Sequence, residues 1–191
     1  MELEQLALSP RRAALVVIDV QERLFAAMPA EVRERLERNV VVMIEAARRF
    51  GVPVVVSEQY PRGLGHTTPA IAAAVESLGP SVERIEKLEF SVCDNDGFGP
   101  IYQRLGRDQW IVTGMETHVC VWQSVRGLLG RGAAVHVASD AVASRTDANW
   151  RIGLDLARSA GATLTSTEVV VFDLLHKAGT DDFKALSKLI K

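Results

Sequence analysis

The sequence predicts an α/β fold, a parallel sheet with helices on both faces. Short β-branched apolar runs alternate with stretches of helical periodicity along the whole chain. The runs are apolar at every position rather than at every second one, which is the pattern of strands covered on both sides. At 191 residues the chain suits one domain, residues 1–191, with length to bury roughly 70% of its unfolded surface.

The elements follow in order. Residues 13–19 (AALVVID) form the first strand, closed by an acid. Val32, Leu36, Val40, Met43, Ile44 and Ala47 then recur at helical spacing, and Gly51 ends that helix. A second strand is expected over 52–57 (VPVVVS), and an alanine-rich helix over 69–78, stopped by Gly79 and Pro80. Residues 84–88 make a weaker third strand carrying Lys87, and 101–105 a short helix. WIVT at 110–113 is a fourth strand, followed by a helix over 117–129 ended by Gly130 and Gly132. A fifth strand (134–139), a helix (147–160), a sixth strand (162–165) and two closing helices (169–177 and 181–190) complete the chain. Neither repeats nor low-complexity segments interrupt the pattern.

Composition narrows the function. Hydrophobic residues make up 48% of the chain, yet no run approaches the ~20 apolar residues of a membrane span. The net charge of −2, with acids and bases interleaved, speaks against nucleic acid and membrane surfaces as partners. The start, MELEQLALSPRR, has no basic segment leading into an apolar one, so a cytoplasmic protein is expected. Two cysteines, Cys93 and Cys120, are too few for a disulfide framework and are expected as reduced thiols.

In doubly wound sheets, ligands bind beyond the carboxyl ends of the strands. Three reactive side chains fall there: Asp19 at the end of strand one, Lys87 at the end of strand three, and Cys120 after strand four. With Thr117 as N-cap, Cys120 would lie in the first helical turn, where the helix dipole and a nearby Lys87 favour a thiolate. Asp19 would accept the thiol proton as a general base. Each residue alone also has a plainer reading: Asp19 as a cap, Lys87 as a solvated strand-edge residue, Cys120 as buried filler. Convergence of all three on one sheet edge carries the case. Gly63-Leu64-Gly65 lacks the third glycine and the following helix of a dinucleotide fingerprint, so no such cofactor is expected.

The stretches ALVVIDVQ (14–21), EKLEFS (86–91) and VTGMETHVCV (112–121) resemble the isochorismatase-like cysteine hydrolases, which include nicotinamidases and carbamoylsarcosine amidohydrolases. VSEQYPRGLGHT (56–67) looks closest to a poorly characterised branch of that family. The resemblance implies a Rossmann-like three-layer sandwich with strand order 3-2-1-4-5-6 and an Asp19–Lys87–Cys120 triad. It also implies a cis peptide at Met115–Glu116, with the Glu116 and Cys120 N–H groups serving a developing oxyanion. Homo-oligomers are implied too.

Departures from the family matter equally. Nicotinamidases hold a metal through an Asp-x-His pair after strand two and a further His. Here the matching stretch is Glu58-Gln59-Tyr60, with His66 as the nearby imidazole, so no metal is expected. Isochorismatases proper carry Gly where this chain has Cys120. The expected activity is therefore hydrolysis of a small amide or related C–N bond through an acyl-thioester, without a cofactor. Gln21, Glu58, Tyr60 and His118 are candidates for the substrate pocket. Two rivals stand beside this reading, a metal-assisted nicotinamidase-type amidase and a non-catalytic oligomeric relative.

Overall fold

The computed structural model describes residues 3–190. Six strands, β1 (Ala13–Ile18), β2 (Val54–Gln59), β3 (Val82–Lys87), β4 (Gln109–Met115), β5 (Ala134–Ala143) and β6 (Thr163–Thr165), form one sheet. Its order is β3-β2-β1-β4-β5-β6, with every neighbouring pair parallel. Among the described residues ten α-helices accompany it: α1 (Leu3–Leu6), α2 (Glu22–Ala26), α3 (Ala30–Phe50), α4 (Pro61–Leu64), α5 (Pro69–Glu76), α6 (Phe98–Leu105), α7 (Trp122–Gly130), α8 (Asp147–Ser159), α9 (Thr167–Leu175) and α10 (Asp181–Leu186).

Strand alternation sorts the core into two halves. Ala13, Leu15 and Val17 face the side covered by α3, α5, α9 and α10, where Leu36, Met43, Ile44, Ile71 and Leu174 pack. Ala14, Val16 and Ile18 face the other side, against α6, α7 and α8, where Phe98, Val125, Leu128 and Leu154 pack. Trp110 of β4 is fully buried there, with its ring stacked on Tyr102 at 5.5 Å. Both faces of β1 and β4 are therefore dry, as their uninterrupted apolar sequence requires.

The structure refines several boundaries. Helices α2 and α4 form where no periodic pattern announces them. They flank a bridge between Gln21 and Thr67, so tertiary contacts set them rather than local propensity. β5 runs to Ala143 instead of stopping near Ser139, and its pairing with β4 changes register between Val112 and Gly114. The helix expected from Thr117 is instead a π-helical turn, Thr117–Val121, that leads into α7. Among the described residues no helix is long and apolar enough to cross a membrane.

Candidate active site

The parallel register brings the ends of β1, β2, β3 and β4 level: Ile18 lies beside Ser57 and Gly114, and Gln59 beside Lys87. Asp19 follows directly on β1 with a φ of +51°, a left-handed conformation that aspartate tolerates better than most residues. This ends the strand alternation, and the side chain is wholly buried. The Ser57 hydroxyl donates to Asp19 Oδ1 at 2.7 Å, and Lys87 Nζ donates to Oδ2 at 2.6 Å. Lys87 is equally buried and also reaches Gln59 Oε1 at 2.8 Å and the carbonyls of Phe90 at 3.1 Å and Glu89 at 3.2 Å.

Cys120 sits in the π-turn, where the Val121 N–H donates to the Glu116 carbonyl at 3.2 Å, one residue beyond α-helical reach. Two glycines let this turn approach the sheet and its cover. A Cβ on Gly114, at φ +115°, would meet the Ile18 carbonyl oxygen and lie 2.6 Å from its nitrogen. A Cβ on Gly153 of α8 would lie 2.7 Å from the Thr117 carbonyl carbon. The Met115–Glu116 peptide between β4 and the turn is cis.

The thiol of Cys120 lies against the Asp19 carboxyl, close enough for each to act on the other's proton affinity. Burial, reinforced by the charge of Asp19 and opposed by Lys87, pushes the thiol up to about 12. Burial likewise holds the Asp19 carboxyl above its ordinary range, against the pull of Lys87, Ser57 and Cys120. The helix-terminus effect expected to favour a thiolate is thus outweighed: burial and the Asp19 charge push the Cys120 thiol up, not down. Thr117 is not the cap either; Glu116 holds that position, and the buried Thr117 Oγ1 finds no partner. Such an arrangement can pass the thiol proton to Asp19 as the sulfur meets an electrophile.

The remaining candidates lie around this cluster. The fully buried Gln21 side chain donates to the carbonyls of Gln59 at 3.0 Å and Gly65 at 2.6 Å and accepts the Gln59 N–H at 2.7 Å. It cross-links β1, β2 and the loop before Thr67. Glu58 accepts from the Thr67 N–H and hydroxyl, each at 2.7 Å, and lies 3.0 Å from His66 Nδ1. Burial works to raise its carboxyl, but the Thr67 and His66 contacts prevail and hold it below the usual range. Tyr60 is half exposed and helps line a cleft of about 440 Å³ with Pro61, Arg62, Lys87, Leu88 and Glu89. His118 Nδ1 lies 3.0 Å from Ser144 Oγ, and Glu116 Oε1 accepts Arg145 Nε at 2.8 Å, so both tie the turn to the end of β5. Among the described residues no three His, Cys, Asp or Glu side chains are grouped to hold a metal ion.

Residues 13–169 match the isochorismatase domain. The chain belongs to the isochorismatase family. A relative described as the secreted isochorismatase effector Isc1 of Phytophthora sojae is 37% identical over 185 residues, covering 96% of this chain and 87% of that protein. The structure of MAR1 ribonuclease from Caenorhabditis elegans superposes with a TM-score of 0.87 at 33% identity, covering 96% of this chain and 91% of that one. The YcaC gene product of Escherichia coli, an octameric hydrolase of unknown specificity, superposes with a TM-score of 0.86 at 22% identity, over 96% of this chain and 90% of that one, a likeness of fold. This isochorismatase-family chain therefore has the isochorismatase-like hydrolase fold in the expected strand order.

Ser57 and Gln59 escaped sequence reading. They follow the valine run of β2 at its end, and only the register that sets them beside Asp19 and Lys87 exposes their contacts.

Proposed function

We propose that this protein, one hydrolase domain over residues 1–191, is a cysteine hydrolase of a small amide or related C–N bond. A single observation carries the reading: Lys87 and Ser57 each hold one oxygen of a buried Asp19 carboxylate, and the Cys120 thiol lies close enough for that carboxylate to act on its proton. In the first half-reaction the sulfur attacks the carbonyl carbon while Asp19 takes the thiol proton. The Glu116 and Cys120 N–H groups receive the developing oxyanion. Collapse breaks the C–N bond, Asp19 returns the proton to the departing amine, and an acyl-thioester remains on Cys120. In the second, water gives its proton to Asp19 and its oxygen to the acyl carbon. The C–S bond then breaks, Asp19 returns that proton to the sulfur, and the acid leaves with the thiol restored. Lys87 fixes the carboxylate throughout. Glu58, Tyr60 and His118 shape the pocket around this centre, and Gln21 supports it from behind.

The substrate is a small molecule; nucleic acid, membrane, metal and cofactor have no part in the reaction. A cytoplasmic homo-oligomer is the working form. The test is ammonia release from a panel of small amides, ureides and carbamoyl compounds, with a single-stranded RNA expected to stay uncut. Hydroxylamine in the assay should divert acyl groups to a hydroxamate, and the acyl adduct should map to the Cys120 peptide. Cys120→Ala should lose turnover by at least about 10³-fold while keeping the fold. Full activity in Cys120→Ala would overturn the mechanism and leave direct water attack organised by Asp19.

A further inference from the structure

Two side chains of β2 that the steps above do not use end inside the charge cluster. Val55, Ser57 and Gln59 share one face of the strand, and Val55 packs in the same core half as Cys120. Ser57 Oγ donates to Asp19 Oδ1 at 2.7 Å, so Lys87 and Ser57 hold one carboxylate oxygen each. Gln59 fixes the lysine in turn. Its Oε1 accepts from Lys87 Nζ at 2.8 Å, while its amide nitrogen donates to the Leu88 carbonyl at 2.8 Å. A flipped amide would point its N–H groups at the ammonium and its oxygen at a carbonyl, so the orientation is determined. Gln21 occupies both backbone polar groups of Gln59, at 2.7 and 3.0 Å.

The lysine is thereby fully engaged. An ammonium has three protons, and its acceptors are Asp19 Oδ2, Gln59 Oε1 and the Glu89 and Phe90 carbonyls. Asp19 is the carboxylate among them; the others are neutral dipoles. An amide at Gln59 holds the lysine without competing for its charge, which a carboxylate there would do.

We propose that Ser57 and Gln59 are positioning residues of the site, Ser57 fixing the Asp19 carboxylate toward the Cys120 sulfur and Gln59 fixing the Lys87 ammonium on that carboxylate. The assignment rests on the reading of Cys120 as nucleophile and Asp19 as base. The charged and titratable groups facing the carboxylate are Lys87 from the end of β3 and Cys120 from the turn after β4, with Glu116 acting on Cys120 from the same turn.

No substrate is needed to test it. Iodoacetamide alkylates the full chain across a pH series, and peptide mass mapping gives the rate at each cysteine. At Cys120 an S–C bond forms, the C–I bond breaks, iodide leaves, and the thiol proton passes to Asp19. The rate in the parent should therefore rise as Asp19 ionises and then level off. Cys93, buried without a carboxylate acceptor for its thiol, should rise only in alkali. Ser57→Ala removes one donor from the ionised carboxylate, so the Cys120 limb should move to higher pH by about one to two units. Ser57→Thr keeps the hydroxyl and should restore the midpoint. Gln59→Glu keeps the shape, draws on the lysine charge, and should move the limb the same way; it stands in if Ser57→Ala does not fold. A general packing role would lower the rate at every pH without moving the midpoint. Unmoved midpoints beside a parental plateau overturn the assignment of Ser57 and Gln59 alone. A parent Cys120 with no plateau overturns Asp19 as base, and this assignment with it.

Discussion

Replacing Lys87 with methionine removes half of a wholly buried ion pair while keeping most of the side-chain volume. Asp19 would retain only Ser57 and Cys120 as side-chain donors. The Gln59 side-chain oxygen and the carbonyls of Glu89 and Phe90 would lose the lysine as well. A lone buried carboxylate of this kind costs about 3–5 kcal/mol, a large share of the 5–15 kcal/mol typical of a domain. The carboxylate has one escape, which is to bind a proton. Burial already holds Asp19 above its ordinary value of 3.8 against the pull of Lys87, and removing Lys87 pushes it further up. A group whose folded pKa exceeds its unfolded value contributes stability that is complete below the unfolded value and lost as pH rises through the folded one. The Lys87→Met loss should therefore be largest in alkali and shrink as pH falls toward the ordinary carboxyl value of 3.8. Urea unfolding followed by tryptophan fluorescence, at one fixed protein concentration, reads this directly. A loss below about 1 kcal/mol, or one equal at every pH, would refute the reasoning.

Three further outcomes follow from other parts of the fold. Gly153→Ala gains helix propensity but drives a Cβ to 2.7 Å from the Thr117 backbone; a net loss of about 1–3 kcal/mol in thermal unfolding, with a larger proportional loss of Cys120 alkylation rate, is expected, and an unchanged or raised melting temperature would contradict it. His136 is buried with Nε2 at 2.9 Å from the Gln5 carbonyl, and burial holds the ring below its ordinary value of 6.5. The unfolded chain then binds the proton more readily, so this stability is intact above about pH 6.5 and lost below it; His136→Gln should flatten the acid side of a melting-temperature profile, and an identical slope would count against it. Light scattering at micromolar concentration should return a multiple of the chain mass, and a monomer mass would overturn the homo-oligomer.

What sequence could convey depended on where each property resides. Strands β1, β2 and β4 are buried on both faces, and their apolar runs state as much without help. β3 lies at the sheet edge and reads weakly because four of its six VERIEK residues meet solvent or its border. Asp19, Lys87 and Cys120 were visible through strand ends and through the motifs around them. The protonation of Cys120 was not. A helix terminus can be inferred from a run of residues, whereas the burial and the neighbouring Asp19 charge that outweigh it arise only when four strand ends come level. Ser57 and Gln59 went unread for the same reason, since a cross-strand hydrogen bond leaves no trace in linear order.

The lysine ligands have one consequence for the outside of the molecule. Glu89 and Phe90 turn their carbonyls toward Lys87, and Leu88 gives its own to Gln59. Backbone committed inward in this way turns its side chains out: Leu88, which lines the cleft, is 73% exposed, and Phe90 two residues on is 53% exposed. The greasy lip beside the reactive centre is the reverse side of a solvated charge, with peptide carbonyls standing in for water. Any change that buried Leu88 and Phe90 within their own chain would have to withdraw that substitute solvent from the ammonium.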